Sequence, residues 1–561
     1  MMRRHERWAI IVLMFISCAK QAPPPGGPVD ETPPKIVAVE PAPGAVRVPR
    51  DLHVRFRFSE RIDHRTFADA LFVTPTPPGE LRFDWSGALV KVNFPDSLLV
   101  NTTYVITLGT GIRDLRNNRL EASFSQAFST GDSIARGEIH GRLFGEKVQS
   151  LLVGAYLIHL PKQPDPGRDV ADYTTQADKD GGFQFRYLVP GLYRLFALDD
   201  KYGNRLYDRG VDAIGIASRD VRLDAAQPRA DNLYMRLALE DTLRPTLTSV
   251  TAPDNRHLEW RFDEPVQTTS GDWLPHLRVL ASSNGPPPFA LLATTTYPLH
   301  LSQAQSYTSP QTAGSYRAFA DGVIDLSGLP LDSLYRQVEF VATAAPDTTP
   351  PRLVRLLPAD SSRGVPLDAA VEATFSDLMR MDSTRAPFLI HDSSGAVVHG
   401  RGVWRNHFQF EFRPVKGWQS LNRYTVEMRT DSTFELSGLA LVDTVRVRRF
   451  WAINADTLGV ISGLVHDDLS AASGPLRLSA KQLVGGKLDR EVILPAPGPY
   501  EVPGLLPGVY QLSVYRDANN NGRYDFGTLA PFLPAERFVV APDSVKVRAR
   551  WPNEGNDITL P

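Results

Sequence analysis

The run Asp517-x-Asn519-x-Asn521-Gly522-x-x-Asp525 has residue types and spacing that could do chemistry. Oxygens at positions 1, 3, 5 and 9, with glycine at position 6 for a sharp turn, are what a loop needs to wrap hard ligands round one calcium ion. Thr528 stands where a bidentate Glu would complete the loop, and Arg516 and Arg523 flank it. A site at Asp517, Asn519, Asn521 and Asp525 would therefore hold calcium weakly. The competing reading is an Asx-rich hairpin turn with Gly522 at positive φ. The run at Asp200 to Asp208, at a constant offset of 317 residues, keeps its ends but carries Tyr202 at the third position.

Other chemistry finds no constellation. The sequence has no Gly-x-Ser-x-Gly elbow, no phosphate-cradling Gly-x-x-x-x-Gly-Lys-Ser/Thr loop and no His-Glu-x-x-His. Its 12 histidines are scattered without metal-ligand spacing, so no catalytic residue and no further cofactor is expected. Glu60, Glu264 and Asp377 end the same strand in three places, which reads as a turn requirement and not as acid-base pairing. Trp85, Trp260, Trp404 and Trp418 lie in strand-like runs and read as core residues in place of a sugar platform. A net charge of −2 without a basic stripe excludes nucleic acid as an expected partner.

The elements that would position these residues are strands. Leu52, Val54, Phe56 and Phe58 alternate with His53, Arg55 and Arg57, the period-2 pattern of a strand with one buried face. Pro33-Pro34 before it removes two donors and suits a linker leading into an edge strand. The block from Asp30 to Glu60 returns at Asp347 to Asp377 with the 317-residue offset: Asp30, Thr32, Pro33 and Pro34 match Asp347, Thr349, Pro350 and Pro351, and Phe58, Ser59 and Glu60 match Phe375, Ser376 and Asp377. Pro190 and Pro507 share that offset, so the duplicated unit is a pair of modules. At 561 residues, with Gly 41 and Pro 46, the chain has room for several turn-rich domains.

The proline-rich start, the Phe58-Ser59-Glu60 strand end, Tyr104-x-Ile106-x-Leu108, Gly111-Ile112-x-Asp114 and Phe128-Ser129-Thr130 resemble the bacterial Ig-like domain first described in S-layer proteins. Gly137-x-Ile139-x-Gly141, Asp180-Gly181-Gly182-Phe183 and Leu188-Val-Pro190-Gly191-x-Tyr193, with their second copy at Gly459-x-Ile461-x-Gly463 and Leu505-Leu-Pro507-Gly508-x-Tyr510, resemble the transthyretin-like, carboxypeptidase-regulatory sandwich. At the start, Arg3, Arg4 and Arg7 precede the short apolar run Trp8 to Ile16, then Ser17 and the single cysteine, Cys18. This resembles a bacterial lipoprotein signal, with Phe15 where Leu is commoner, and implies lipidation of Cys18 and attachment to a membrane. Gly26-Gly27-Pro28-x-Asp30-x-Thr32-Pro33-Pro34 is similar to the start of Bacteroidota-type envelope lipoproteins.

The expected fold class is all-β: tandem β-sandwich modules, Ig-like and transthyretin-like, in an extended array. The divisions are a signal peptide 1–17, a Pro/Gly tether 18–29, Ig-like 30–132, transthyretin-like 133–240, a divergent Ig-like 241–346, Ig-like 347–456 and transthyretin-like 457–561. Placed end to end, five sandwiches would reach on the order of 150 Å from a membrane. Asp132-Ser133, Asp241-Thr242, Asp347-Thr348 and Asp456-Thr457 at the junctions read as side chains closing local turns, the other reading being O-glycosylation. The expected role is a non-enzymatic envelope scaffold, spacer or adhesin on the outer membrane. The alternative is an accessory subunit binding an envelope protein or glycan.

Overall fold

The computed structural model describes residues 30–75, 80–94, 97–282, 285–382, 384–443, 446–469, 473–484 and 489–561; Cys18, the signal segment and the tether lie outside them. The described chain is β-sandwich throughout, with one short α-helix, His64–Asp69, capped by the Asp63 carboxylate. Along Val54–Phe58 the residues alternate strictly between buried and exposed, and Val54 faces Val92 across the sheet. The period-2 pattern therefore has the expected cause: one face of the strand is core.

Modules 1, 3 and 4 share one topology. In module 1, strands Ile36–Glu40, Val54–Phe58, Leu89–Asn93 and Arg82–Ser86 form one sheet, and Leu71–Thr74, Thr103–Leu108 and Phe124–Ser129 form the other. Module 3 repeats this with Leu247–Thr251, His257–Phe262, Gln303–Thr308 and Leu291–Thr296 against Leu277–Ala281, Gly314–Ala320 and Gln337–Ala342. Module 4 does so with Leu353–Leu357, Val371–Phe375, Gln409–Pro414 and Gly400–Asn406 against Phe388–His391, Arg423–Met428 and Val447–Ala452, plus one added strand, Ser362–Val365. Trp260 is fully buried in module 3 and Trp418 nearly so in module 4, while Trp85 and Trp404 are half-buried and pack edge-on to Phe67 and Phe410.

Modules 2 and 5 are a second kind of sandwich, and their copies agree. Gly137–Phe144 pairs antiparallel with Gly182–Leu188 and parallel with Arg229–Leu239. Gly459–Asp467 pairs in the same way with Gly498–Leu505 and with Pro552–Asn553 and Ile558–Leu560. The parallel neighbour explains a glycine in the repeated motif. A Cβ at Gly141 would strike the Leu233 carbonyl oxygen, and one at Gly463 the Asn556 carbonyl oxygen.

The modules do not form a straight row. Modules 2 and 5, far apart in sequence, touch: Phe538 meets Phe144 at 5.3 Å and Tyr234 at 6.2 Å, and the Arg236 guanidinium lies 4.2 Å from the Phe538 ring centre. Beside them Tyr156, Phe196 and Ile214 join Tyr524, Leu529 and Phe532 in one apolar cluster. This corrects the extended, end-to-end arrangement. The physical reason is apolar area: aromatic side chains on outward strand faces leave water only if two modules meet.

Arg194 is the most defined member of that contact. Asp220 holds its guanidinium with two hydrogen bonds, at 2.8 and 2.7 Å, and the Phe532 ring centre lies 3.4 Å from it. Phe532→Ala is expected to weaken docking by about 2 kcal/mol while leaving both sandwiches folded. Small-angle scattering should show a larger radius of gyration, and circular dichroism no change.

Candidate metal centre at the module entrances

Modules 1, 3 and 4 each gather three carboxylates where the chain enters the module. In module 1 they are Asp30, Glu60 and Asp114; in module 3, Asp241, Glu264 and Asp325; in module 4, Asp347, Asp377 and Glu435, where His257 and Asp254 from module 3 join them. Within each group given for modules 1 and 3, one oxygen per residue lies within 4.8 Å of the others. The recurrence has a local cause in each piece. The first acid lies on the linker, and its own carboxylate accepts the amide two residues on: Thr32, Leu243 and Thr349. The second ends a core strand.

The third acid opens a tight turn. Asp114, Asp325 and Glu435 donate their amides to the carbonyls of Asn118, Leu329 and Leu439, and Asn117, Gly328 and Gly438 take positive φ three residues on. The strand pairs then return, with Leu120, Leu331 and Leu441 bonded to Ile112, Val323 and Thr433. Backbone pairing sets the turn acid, and turn side chains tie the linker acid to it: Asn118 donates to the Asp30 carbonyl, and the Ser327 and Ser437 hydroxyls donate to the Asp241 and Asp347 carboxylates.

The charge is met differently in each copy. In module 1, burial pushes the Asp114 carboxyl up, but the Asn118 side chain and the amides of Asn118 and Arg116 outweigh it and hold it below the usual range. Glu60 beside it is pushed up by burial and by Asp114 and Asp30. In module 4, His257 supplies the cation. Its Nδ1 lies 2.9 Å from Asp254 Oδ2 and its Nε2 3.6 Å from Asp377 Oδ1. Burial works against the imidazolium, yet Asp254, Asp377 and Asp347 raise its pKa overall. Glu435 is fully buried and is pushed up to about 8, first by burial and then by Asp377 and Asp347. In module 3, Glu264 is pushed up by burial and by Asp241, Asp325 and Asp263.

Carboxyls with separated proton affinities also suit general acid-base work. Asp114, Asp325 and Glu435 are at most 2% exposed, so solvent-borne substrate does not reach them. Charge compensation is the chemistry that fits.

The Asp517 loop is closed by its own side chains. Asp517 is buried and accepts the amides of Asn521 and Gly522, while Arg477 Nε donates to its Oδ2 at 2.7 Å. Asn519 and Asn521 both donate to the Asp525 carboxylate, and Gly522 has φ +80°. This is the geometry of the Asx-rich turn, with a guanidinium already beside its innermost carboxylate. The loop also carries Tyr524 into the contact with module 2, under the Arg236 guanidinium. Cys18 lies outside the described residues.

Sequence reading found Glu60, Glu264 and Asp377 but assigned them to turns, and it paired none of them with Asp114, Asp325 or Glu435. The usable signal was the shared Asp/Glu-Leu-x-Gly/Asn turn, which follows each strand-ending acid later in the same module.

The module 4 group gives a pH test. Glu435 and His257 both bind protons more tightly folded than unfolded, so their stabilisation is full at low pH and is lost as pH rises through the folded values. In chelator-treated buffer, hydrogen exchange at Arg423–Met428 should therefore quicken between about pH 5 and about pH 8, after correction for intrinsic rates. Glu435→Gln should flatten that dependence.

No curated protein matches the chain. Among solved structures, domains 1–6 of the surface layer protein SbsC are 11% identical with a TM-score of 0.14, covering 93% of this chain and 67% of that one. An L,D-transpeptidase from Mycobacterium smegmatis is 17% identical with a TM-score of 0.15, covering 37% and 90%. Native E. coli alpha-2-macroglobulin is 11% identical with a TM-score of 0.14, covering 91% and 34%. The chain spans 61% of another L,D-transpeptidase and 45% of an N-terminal SbsC fragment. At these scores the likenesses carry no argument about this chain. The match that does carry weight is local: residues 30–130 and 347–448, modules 1 and 4, match the bacterial Ig-like domain family.

Proposed function

We propose that the chain is a non-enzymatic, lipid-anchored scaffold of the bacterial cell envelope, held to the outer membrane through Cys18. Two bacterial Ig-like domains within an all-β chain fit a structural or surface scaffold. The observation that carries the reading is the docking of module 2 on module 5. The aromatic and guanidinium groups that a binding protein would present to a ligand are used here between modules. The remaining modules then form a frame whose relative positions are fixed by contact as well as by linkers. At the module 4 to 5 junction, for instance, Arg490 donates twice to Asp368, at 2.9 and 3.1 Å.

In this reading modules 2 and 5 are transthyretin-like sandwiches, and their contribution is mechanical. The Asp517 loop serves as a docking turn, with Arg477 beside its innermost carboxylate. Trp551, 65% exposed, is the most exposed tryptophan among the described residues and stands without an aromatic platform around it, so a glycan-binding face lacks support.

Metabolic labelling with a fatty acid should mark the wild-type chain and fail with Cys18→Ala, which should leave the membrane fraction. Peptidase and glycosidase assays on the purified protein should show no turnover. A labelled Cys18→Ala protein, or any turnover, would defeat the proposal.

A further inference from the structure

We infer that the entrance of module 3, built by Asp241, Glu264 and Asp325, binds a hard divalent cation of the calcium class that ties the preceding linker to the sandwich. Three atoms no more than 4.8 Å apart all lie within about 2.8 Å of a shared point, a few tenths of an ångström beyond calcium–oxygen bond lengths. A small contraction would bring all three into coordination.

The independent sign of a ligand is Asp325. It is 1% exposed; its Oδ1 accepts the Leu329 amide at 2.7 Å, and its Oδ2 has no hydrogen-bond partner among the described residues. A buried carboxylate oxygen without a donor is strongly unfavourable unless a cation meets it. The charges facing Glu264, its neighbour in the cluster, are those of Asp241, Asp325 and Asp263, all acidic.

The sister modules show what is missing. In module 1 the Asn118 side-chain amide donates to Asp114 Oδ2 at 2.9 Å; at the equivalent turn position module 3 has the hydrocarbon Leu329. In module 4 the imidazole of His257 stands among the carboxylates. Module 3 keeps the three acids and has neither substitute.

The donor set selects the ion class. With carboxylates only, and neither His nor Cys, it favours a hard cation over zinc or copper. Its ligands come from a linker, a strand end and a turn, a spread that suits calcium's flexible coordination better than the tight octahedron of magnesium. Because Asp241 belongs to the linker, binding would stiffen the hinge between modules 2 and 3.

The test is calorimetric titration of calcium chloride into the full chain after chelator treatment, with Asp325→Asn, Glu264→Gln and Asp517→Asn alongside. The expected result is saturable binding by the wild type, weakened at least tenfold in Asp325→Asn and in Glu264→Gln and unchanged in Asp517→Asn. In chelator the first two variants should melt no lower than the wild type, because each removes a like charge, so lost binding cannot be laid to misfolding. No calcium uptake at millimolar concentration, or uptake equal in the wild type and both module 3 variants, would overturn the inference. Loss in Asp517→Asn alone would also overturn it, by moving the ion to that loop.

Discussion

Phe538 packed against Phe144 and Tyr234, under the Arg236 guanidinium, is the contact on which the arrangement of the five modules depends. Each sandwich has a core centred on its own strands, as Tyr193 and Tyr510 show at equivalent places in modules 2 and 5, and module 1 adds Val105 and Ala127 to the cluster of module 2. What a single sandwich cannot do is cover the aromatic side chains on its outer faces. Docking removes them from water, and it converts a chain of short linkers into a closed frame in which the contact between modules 2 and 5 joins the ends of the run from module 2 to module 5. Buried apolar area of this kind is non-directional, but Arg194 adds direction. Clamped by Asp220 and stacked on Phe532, it admits few orientations of the two modules.

The acidic entrances follow from the same modular logic. A linker acid, a strand-ending acid and a turn acid come together in each of modules 1, 3 and 4, which share one topology. Each copy must then compensate a concentration of negative charge in a partly dry place. Module 1 does so with an asparagine amide, and module 4 borrows a histidine from the module before it. That borrowing makes the junction of modules 3 and 4 electrostatically shared, since His257 is packed into its own strand and reaches Asp377 across the boundary. Tyr297 against Phe408 at 5.0 Å seals the same junction with apolar contact.

Much of this was legible in the sequence, for reasons that can be named. Val54 to Phe58 alternates because one face is core, and the apolar/polar alternation returns in Val371-Glu372-Ala373-Thr374-Phe375, where Thr374 is nonetheless buried. The 317-residue offset of the double proline exposes the duplication, and the second glycine of Gly-x-Ile-x-Gly marks the place where the chain of the parallel neighbour passes too close for a side chain. The back-docking was not legible. Phe144, Tyr156 and Phe196 occupy positions that fit an ordinary sandwich, and nothing in their spacing says that a distant module covers them. Nor was the partner of Asp517: Arg477 lies 40 residues away and reaches it only across paired strands. The carboxylate clusters were half legible. Their members were seen one by one, but strand ends and turns meet in space and not in sequence.

The most direct measurement of the central claim is the distance between modules 2 and 5 in solution. Spin labels at Lys147→Cys and Asp543→Cys, in a Cys18→Ser background, sit close to residues of the two modules that line one shared cavity. They are nearly 400 residues apart in sequence. Pulsed electron resonance should give one short, narrow distance distribution. A broad distribution at long distance would mean that modules 2 and 5 do not meet, and the account of a closed frame would fall.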